Sequence, residues 1–261
     1  MTTDSGVDAQ RFELFRYLLG LGDDALILGH RLSEWCGHAP VLEEDIALAN
    51  IALDCLGHAA AFLDLAAAVE QKERSADDLA FFRDAVEFRN CTIVELPNGD
   101  FARTMVRQFL VDTYRLFQLD GLAGSNFSPL AAFAAKAVKE VRYHFRHSSA
   151  WVIRLGDGTP ESHQRTQQAL DELWPYIAEL LEPPPEAATL VASSLIKQPN
   201  DLEERWHSTV AEVLSKAQLT PPAVAAHRFT THGRRGLHTE HLGHLLAEMQ
   251  SVARSAPGAA W

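Results

Sequence analysis

Apolar residues recur at steps of three and four along most of this chain, the spacing of helices buried on one side. Leu14, Leu18, Leu21, Ala25, Leu28, Leu32 and Trp35 form one such stripe. It predicts a long first helix, with Gly20 and Gly22 favouring a break inside it. The run CGHAP at 36–40 ends it, because Gly and Pro both stop helices. Ile46, Ala49, Leu53, Leu56, Ala60, Leu63 and Ala67 repeat the rhythm. Leu48, Ile51 and Phe62 make the other side of this second helix apolar too, which predicts a central position in the fold. A short helix over about 77–89 and a turn at PNGD follow. Phe101, Met105, Phe109 and Leu116 mark the next long helix. After GLAGSNFSP, the series Leu130, Ala134, Ala137, Val141, Ser148, Trp151 and Leu155 marks another.

Four long helices in two pairs able to run antiparallel predict an all-α four-helix bundle. Further helices are expected at about 160–181 with a kink at Pro175, at about 201–217, and at about 238–254. EPPPE at 182–186 is the one linker-like run, and it is too short to establish a second domain. A single helical domain over 1–261 is therefore expected, with its core bundle at about 10–155 and extra helices at about 160–254. Val, Ile and Thr are sparse and period-two alternation is weak, so almost no sheet is expected.

Composition narrows what such a domain could do. Apolar residues make up 47% of the chain, enough for a large core. A formal net charge of −12 repels phosphate backbones and anionic lipid heads, which weighs against nucleic-acid and membrane-surface partners. No uninterrupted run approaches the ~18 apolar residues of a membrane span. The segment MTTDSGVDAQ has neither the basic nor the apolar region of a secretory leader. The three cysteines, Cys36, Cys55 and Cys91, are widely spaced and odd in number, as expected of reduced thiols in a cytoplasmic protein.

Charged groups stand where apolar ones belong. Asp112 falls between Phe109 and Leu116, and His144 between Val141 and Ser148 with Glu140 one turn before it. Asn50, Asp54 and His58 stand at i, i+4 and i+8 of the second helix, and Asp24 flanks the first stripe. Each long helix thus brings an ionisable group towards an interior. The arrangement resembles a di-iron carboxylate bundle, in which two helices give a carboxylate each and two give a Glu-x-x-His pair. Hard oxygen ligands suit iron, and imidazoles complete its shell. The spacing departs from that pattern twice. Position i+3 is Gly57 after Asp54 and Tyr143 after Glu140, while His58 and His144 come at i+4. On a helix this displaces each imidazole by ~100°. A metal-free network, with these groups paired to each other or to Arg142 and Arg146, is the competing expectation.

The stretches LGDDALILGHRLSEWCGHAPVLEEDIALANIALDCLGHA, EQKERSADDLAFFRDAVEFRN, VELPNGDFARTMVRQF, AKAVKEVRYHFRHSSAWVIRLGDGT and GLHTEHLGHLLAEMQ closely resemble the PaaC-type subunits of bacterial phenylacetyl-CoA epoxidases. The resemblance runs from about residue 17 to Trp261 and is weakest at about 182–225. It implies a ferritin-like fold and a structural, non-catalytic subunit with no cofactor of its own. It implies a PaaA-type partner that carries a di-iron centre and epoxidises the ring of phenylacetyl-CoA with O2 in aerobic phenylacetate breakdown. A PaaB-type bridging subunit and, indirectly, a PaaE-type reductase are the other implied partners. On this resemblance Asp24, Asp54, Asp112 and Glu140 are relics of carboxylate ligands, and Gly57 and Tyr143 stand where imidazoles stood. The alternatives are an active di-iron oxidase using Asp24, Asp54, His58, Asp112, Glu140 and His144, and a homodimeric helical scaffold.

GLHTEHLGHLLAEMQ at 236–250 invites a separate reading. His238, Glu240, His241 and His244 have helical spacing suited to a metal, but no fourth ligand is near in sequence. An amphipathic helix capped by Thr239, or a contact between subunits through His238, Glu240 and His241, competes with that. Trp35 is a candidate interface anchor. Arg234 and Arg235 are candidates for a CoA phosphate or an acidic partner surface.

Overall fold

A computed structural model describes residues 4–223 and 231–259. The order is α1 (Asp4–Ser33), α2 (Leu42–Glu70), α3 (Ala76–Phe81), α4 (Thr92–Glu95), α5 (Phe101–Leu122), α6 (Ser128–Gly156), α7 (Pro160–Leu173), α8 (Ile177–Leu181), α9 (Ala187–Ala192), α10 (Leu202–Lys216), α11 (Glu240–Met249) and α12 (Ser251–Ser255). The fold is all-α and ferritin-like in type. Among the described residues the only β pairing is an isolated bridge between His232 and Leu237.

The chain divides into two compact units. The first holds α1 to α4, α9, α11 and α12. Here α1 and α2 run antiparallel: Gly22 meets Leu63 and Gly29 meets Leu56. A Cβ on Gly22 would lie 2.7 Å from Leu63 Cδ2, and one on Gly29 3.1 Å from Leu56 Cδ2. Gly22 therefore lets two helices approach closely, and α1 passes through it unbroken. Beyond α1, Gly37 takes a left-handed φ of 78° and its N–H donates to Asp45 at 2.7 Å, which fixes the turn into α2.

The expected helix over 77–89 stops at Phe81. Arg83 turns back to donate to Leu79 O and pairs with Asp23 on α1. Past a single 3-10 turn, Arg89 N–H reaches Asp23 Oδ2 at 2.8 Å and Cys91 N–H reaches Asp24 Oδ1 at 2.7 Å. Carboxylates on α1 thus take donors that a continuing helix would have used. The free carbonyls at the end of α3 accept from Gln250, whose Nε2 lies 3.1 Å from Ala80 O, and from Arg254.

The second unit holds α5 to α8 and α10. Its long pair α5 and α6 is antiparallel, with Phe101 edge-on to Trp151 and Phe109 beside Phe145. Asp100 caps α5 through Arg103 N–H, and Thr159 caps α7 ahead of Pro160. The chain turns at Pro175 through a 3-10 segment before α8, so the kink falls where the proline predicts it. Trp206 of α10 is fully buried and donates its indole N–H to Leu110 O at 3.1 Å.

The central position expected for α2 is realised on one side only. Leu48, Ile51, Cys55 and Phe62 are buried, whereas Leu42, Ile46 and Leu53 on the opposite side are exposed. Although Asp54 interrupts its apolar run, α2 contains an 18-residue window of mean hydropathy 1.6. Length and composition alone would let that window cross a membrane; 44% of it is buried inside the protein.

Candidate functional site

In the second unit α5 carries Asp112 into the interior, where it has no exposure. Gln108, one turn earlier, donates to Oδ1 at 2.7 Å, and Ser148 of α6 donates to Oδ2 at 2.9 Å. Burial pushes the Asp112 carboxyl above the usual carboxylate range. The neighbouring His144 and Arg115 charges and the two hydrogen bonds oppose that rise without cancelling it. His144 is buried one turn before Ser148.

In the first unit the adjacent acids Asp23 and Asp24 take different cations. Asp23 pairs with Arg83, whose guanidinium also lies over the Phe88 ring at 4.2 Å. Asp24 pairs with Arg234 at 2.8 Å. A third buried carboxylate, Glu95 at the end of α4, gathers four donors. Its Oε2 accepts from Asn90 at 2.8 Å and faces His238 Nδ1 at 2.7 Å. Its Oε1 accepts from the Thr239 N–H at 2.7 Å and the Thr239 hydroxyl at 2.8 Å. The other nitrogen of His238 faces Phe88 O at 3.0 Å. Burial alone would lower the His238 pKa; the Glu95 hydrogen bond and charge, the Phe88 carbonyl and the Asp23 charge outweigh it and raise the value. Arg31 on α1 completes the cluster, donating to Glu95 O at 3.0 and 2.7 Å.

These contacts answer the reading of residues 236–250. His238 and Thr239 serve as a latch that holds the segment before α11 onto α4. Thr239 occupies the cap position of α11, but its hydroxyl goes to Glu95 and makes no cap hydrogen bond. Glu240 and His244 are exposed and His241 half-buried. Arg234 is 3% exposed and engaged with Asp24, so it does not offer its charge to a CoA phosphate. Arg235 is exposed, and Trp35 is half-buried just past α1.

The positions tied to iron ligands do not fit a di-iron centre. Asp24 gives one oxygen to a backbone N–H and the other to Arg234, a buried guanidinium that supplies the charge a metal would and repels a dication. Asp112 is held by Gln108 and Ser148. Gly57 is exposed and has no heavy atom within 4 Å of where a Cβ would sit. Tyr143 is 44% exposed, stacked on His147 with Arg146 over its ring. Asp54 and Glu140 are half-buried and His58 is buried. Among the described residues no three His, Cys, Asp or Glu side chains converge as a metal cage requires. Asp24 and Asp112 have protein partners, but these are Arg234, Gln108 and Ser148 rather than one another or the arginines named from sequence. Of the two arginines expected to serve it, Arg146 lies over Tyr143.

Sequence reasoning did not single out Asp23, Arg83, Asn90, Glu95 or Arg31. A signal for Asp23, Arg83 and Asn90 was present in the doubled acid at 23–24 and the alternating charges of FRDAVEFRN, but pairing across 60 or more residues, as for Asp23 with Arg83 and Arg31 with Glu95, has no period. A cleft of about 410 Å³ between α3 and α12 is lined mainly by Phe81, Phe82, Met249, Val252 and Ala256. Its polar residues Ser75 and Asp78 are occupied in the capping box of α3, so it holds no nucleophile with a base.

The sequence pattern of the phenylacetic acid catabolic proteins matches residues 1–261. The chain belongs to that family. Its similarity to the C-type subunit of the 1,2-phenylacetyl-CoA epoxidase of Escherichia coli (strain K12) is 46% identity over 249 residues, covering 95% of this chain and 99% of the relative. The chain thus shares nearly the whole length of that relative. The likeness extends over both compact units and over the latch between α4 and α11.

Proposed function

We propose that this chain is the non-catalytic structural subunit of a multicomponent phenylacetyl-CoA 1,2-epoxidase in phenylacetate breakdown, working in the cytoplasm. The observation that carries the reading is the pairing of Asp24 with Arg234. A cation built into the protein pairs with a carboxylate that the resemblance ties to a metal site, within a chain 46% identical to an epoxidase subunit. The chain would hold no cofactor. A PaaA-type partner would carry the di-iron centre, and this subunit would support its helices so that the ligands keep their geometry. A PaaB-type chain would bridge such pairs, and a PaaE-type reductase would supply electrons.

Reconstitution with the PaaA-type subunit tests this. Glu140→Ala in the present chain is expected to leave ring epoxidation within about twofold of wild type, as for a partly exposed surface change. Loss of turnover together with loss of iron would assign the di-iron site to this chain instead.

A further inference from the structure

Helix α2 has two apolar faces. One is core. The other runs through Leu42, Ile46, Leu53, Gly57 and Ala60, which helical steps of ~100° place within about 60° of one another. Leu42 is 71%, Ile46 54% and Leu53 65% exposed, and Val41 just before the helix is 50% exposed. Gly57 meets open space, which leaves a hollow beside Leu53. Contiguous exposed apolar surface of this kind marks an interaction site.

The charges around it select the occupant. Glu43, Glu44 and Asp45 stand at the start of the stripe, Asp54 at its edge and Asp64 beyond its end, and α2 contains no Lys or Arg. Two copies crossing antiparallel at Leu53 would set Glu43, Glu44 and Asp45 against Asp64. Crossing parallel, those three acids would oppose themselves. Both arrangements bring like charges together, which disfavours a homodimer. Anionic lipid heads would meet the same repulsion, and α2 has no basic side chain to reach them.

We infer that this face of α2 is the docking surface for a different protein chain, one presenting a helix with a large apolar ridge flanked by Lys or Arg. The ridge fills the hollow at Gly57 and Ala60, and the basic flanks meet Glu43, Glu44, Asp45 and Asp64. The assignment rests on the reading of this chain as one subunit of an oxygenase, and it names the face that reading needs.

The experiment uses the full chain and the PaaA-type subunit. Affinity is measured for wild type, Leu53→Lys, the pair Glu43→Lys with Glu44→Lys, and Val252→Lys as a control on α12, where Val252 is 59% exposed. Leu53→Lys is expected to weaken binding at least about 100-fold, as for an interface hot spot, with unchanged helicity and melting temperature of the free chain. The charge pair is expected to slow association about tenfold and to flatten its salt dependence. Val252→Lys is expected to bind like wild type. Wild-type affinity of Leu53→Lys would overturn the assignment alone. So would loss, in that variant, of a homodimer or of binding to phosphatidylglycerol vesicles while the hetero-complex survives. If the wild-type chain does not bind the PaaA-type subunit at all, the functional reading falls and the docking face with it.

Discussion

At the scale of single residues, His238 shows how a candidate metal ligand can instead be a structural cation. Both ring nitrogens face acceptors, Glu95 Oε2 and Phe88 O, so the ring carries both protons. A raised folded-state value means the latch contributes fully below the ordinary histidine value of ~6.5, and that its contribution is lost as pH rises through the raised value. Melting temperatures followed from pH 6 to 9 should therefore fall more steeply for wild type than for His238→Gln; parallel profiles would contradict the charged latch. His238→Ala should cost about 2 kcal/mol in denaturant unfolding at pH 6, because it strips a partner from buried Glu95. Asp112 works in the opposite sense. Its carboxyl is raised by burial, so it carries no penalty below the unfolded value of ~3.9, and destabilises the fold as pH climbs from there towards its folded value. Asp112→Asn should equal or exceed wild-type stability at neutral pH, since the Gln108 amide can turn to suit it. Asp112→Ala should cost about 2 kcal/mol by leaving a cavity. Denaturant midpoints at pH 4 and pH 7.5 check both.

At the scale of elements, glycines that look alike in sequence do different things. Gly22→Ala would press a methyl group into Leu63 of α2 and should cost about 1–3 kcal/mol by overpacking. Gly57→Ala meets open space and should stabilise the isolated chain by about 0.5–1 kcal/mol through helix propensity. Thermal unfolding of the two variants separates these cases, and equal effects would contradict the placement of α2. The long helices were legible because burial on one side imposes a period that sequence displays. Hence α5, α6, α7 and α10 begin and end within a few residues of the pattern. What the pattern could not show was set by distant chemistry. Asp23 and Asp24 draw the backbone after Phe81 out of its helix, and α4 is a single turn anchored by Glu95. The candidate site was legible by residue type but not by partner. Asp24 and Asp112 stood out as acids on apolar stripes, while Arg234 looked like surface until its contact with Asp24 placed it inside.

At the scale of the whole molecule, the chain combines well-satisfied internal carboxylates with an apolar helix face left open. The first feature engages Asp24 and Asp112 with protein donors, and the second is the docking surface inferred above. Both suit the supporting role proposed above for this chain. The central claim is tested most directly by iron content, measured on the chain purified alone and again in complex with the PaaA-type subunit. The account predicts little iron in the isolated chain and about two irons per heterodimer in the complex, one di-iron site per pair. Tightly bound iron near two per chain in the isolated protein would contradict it.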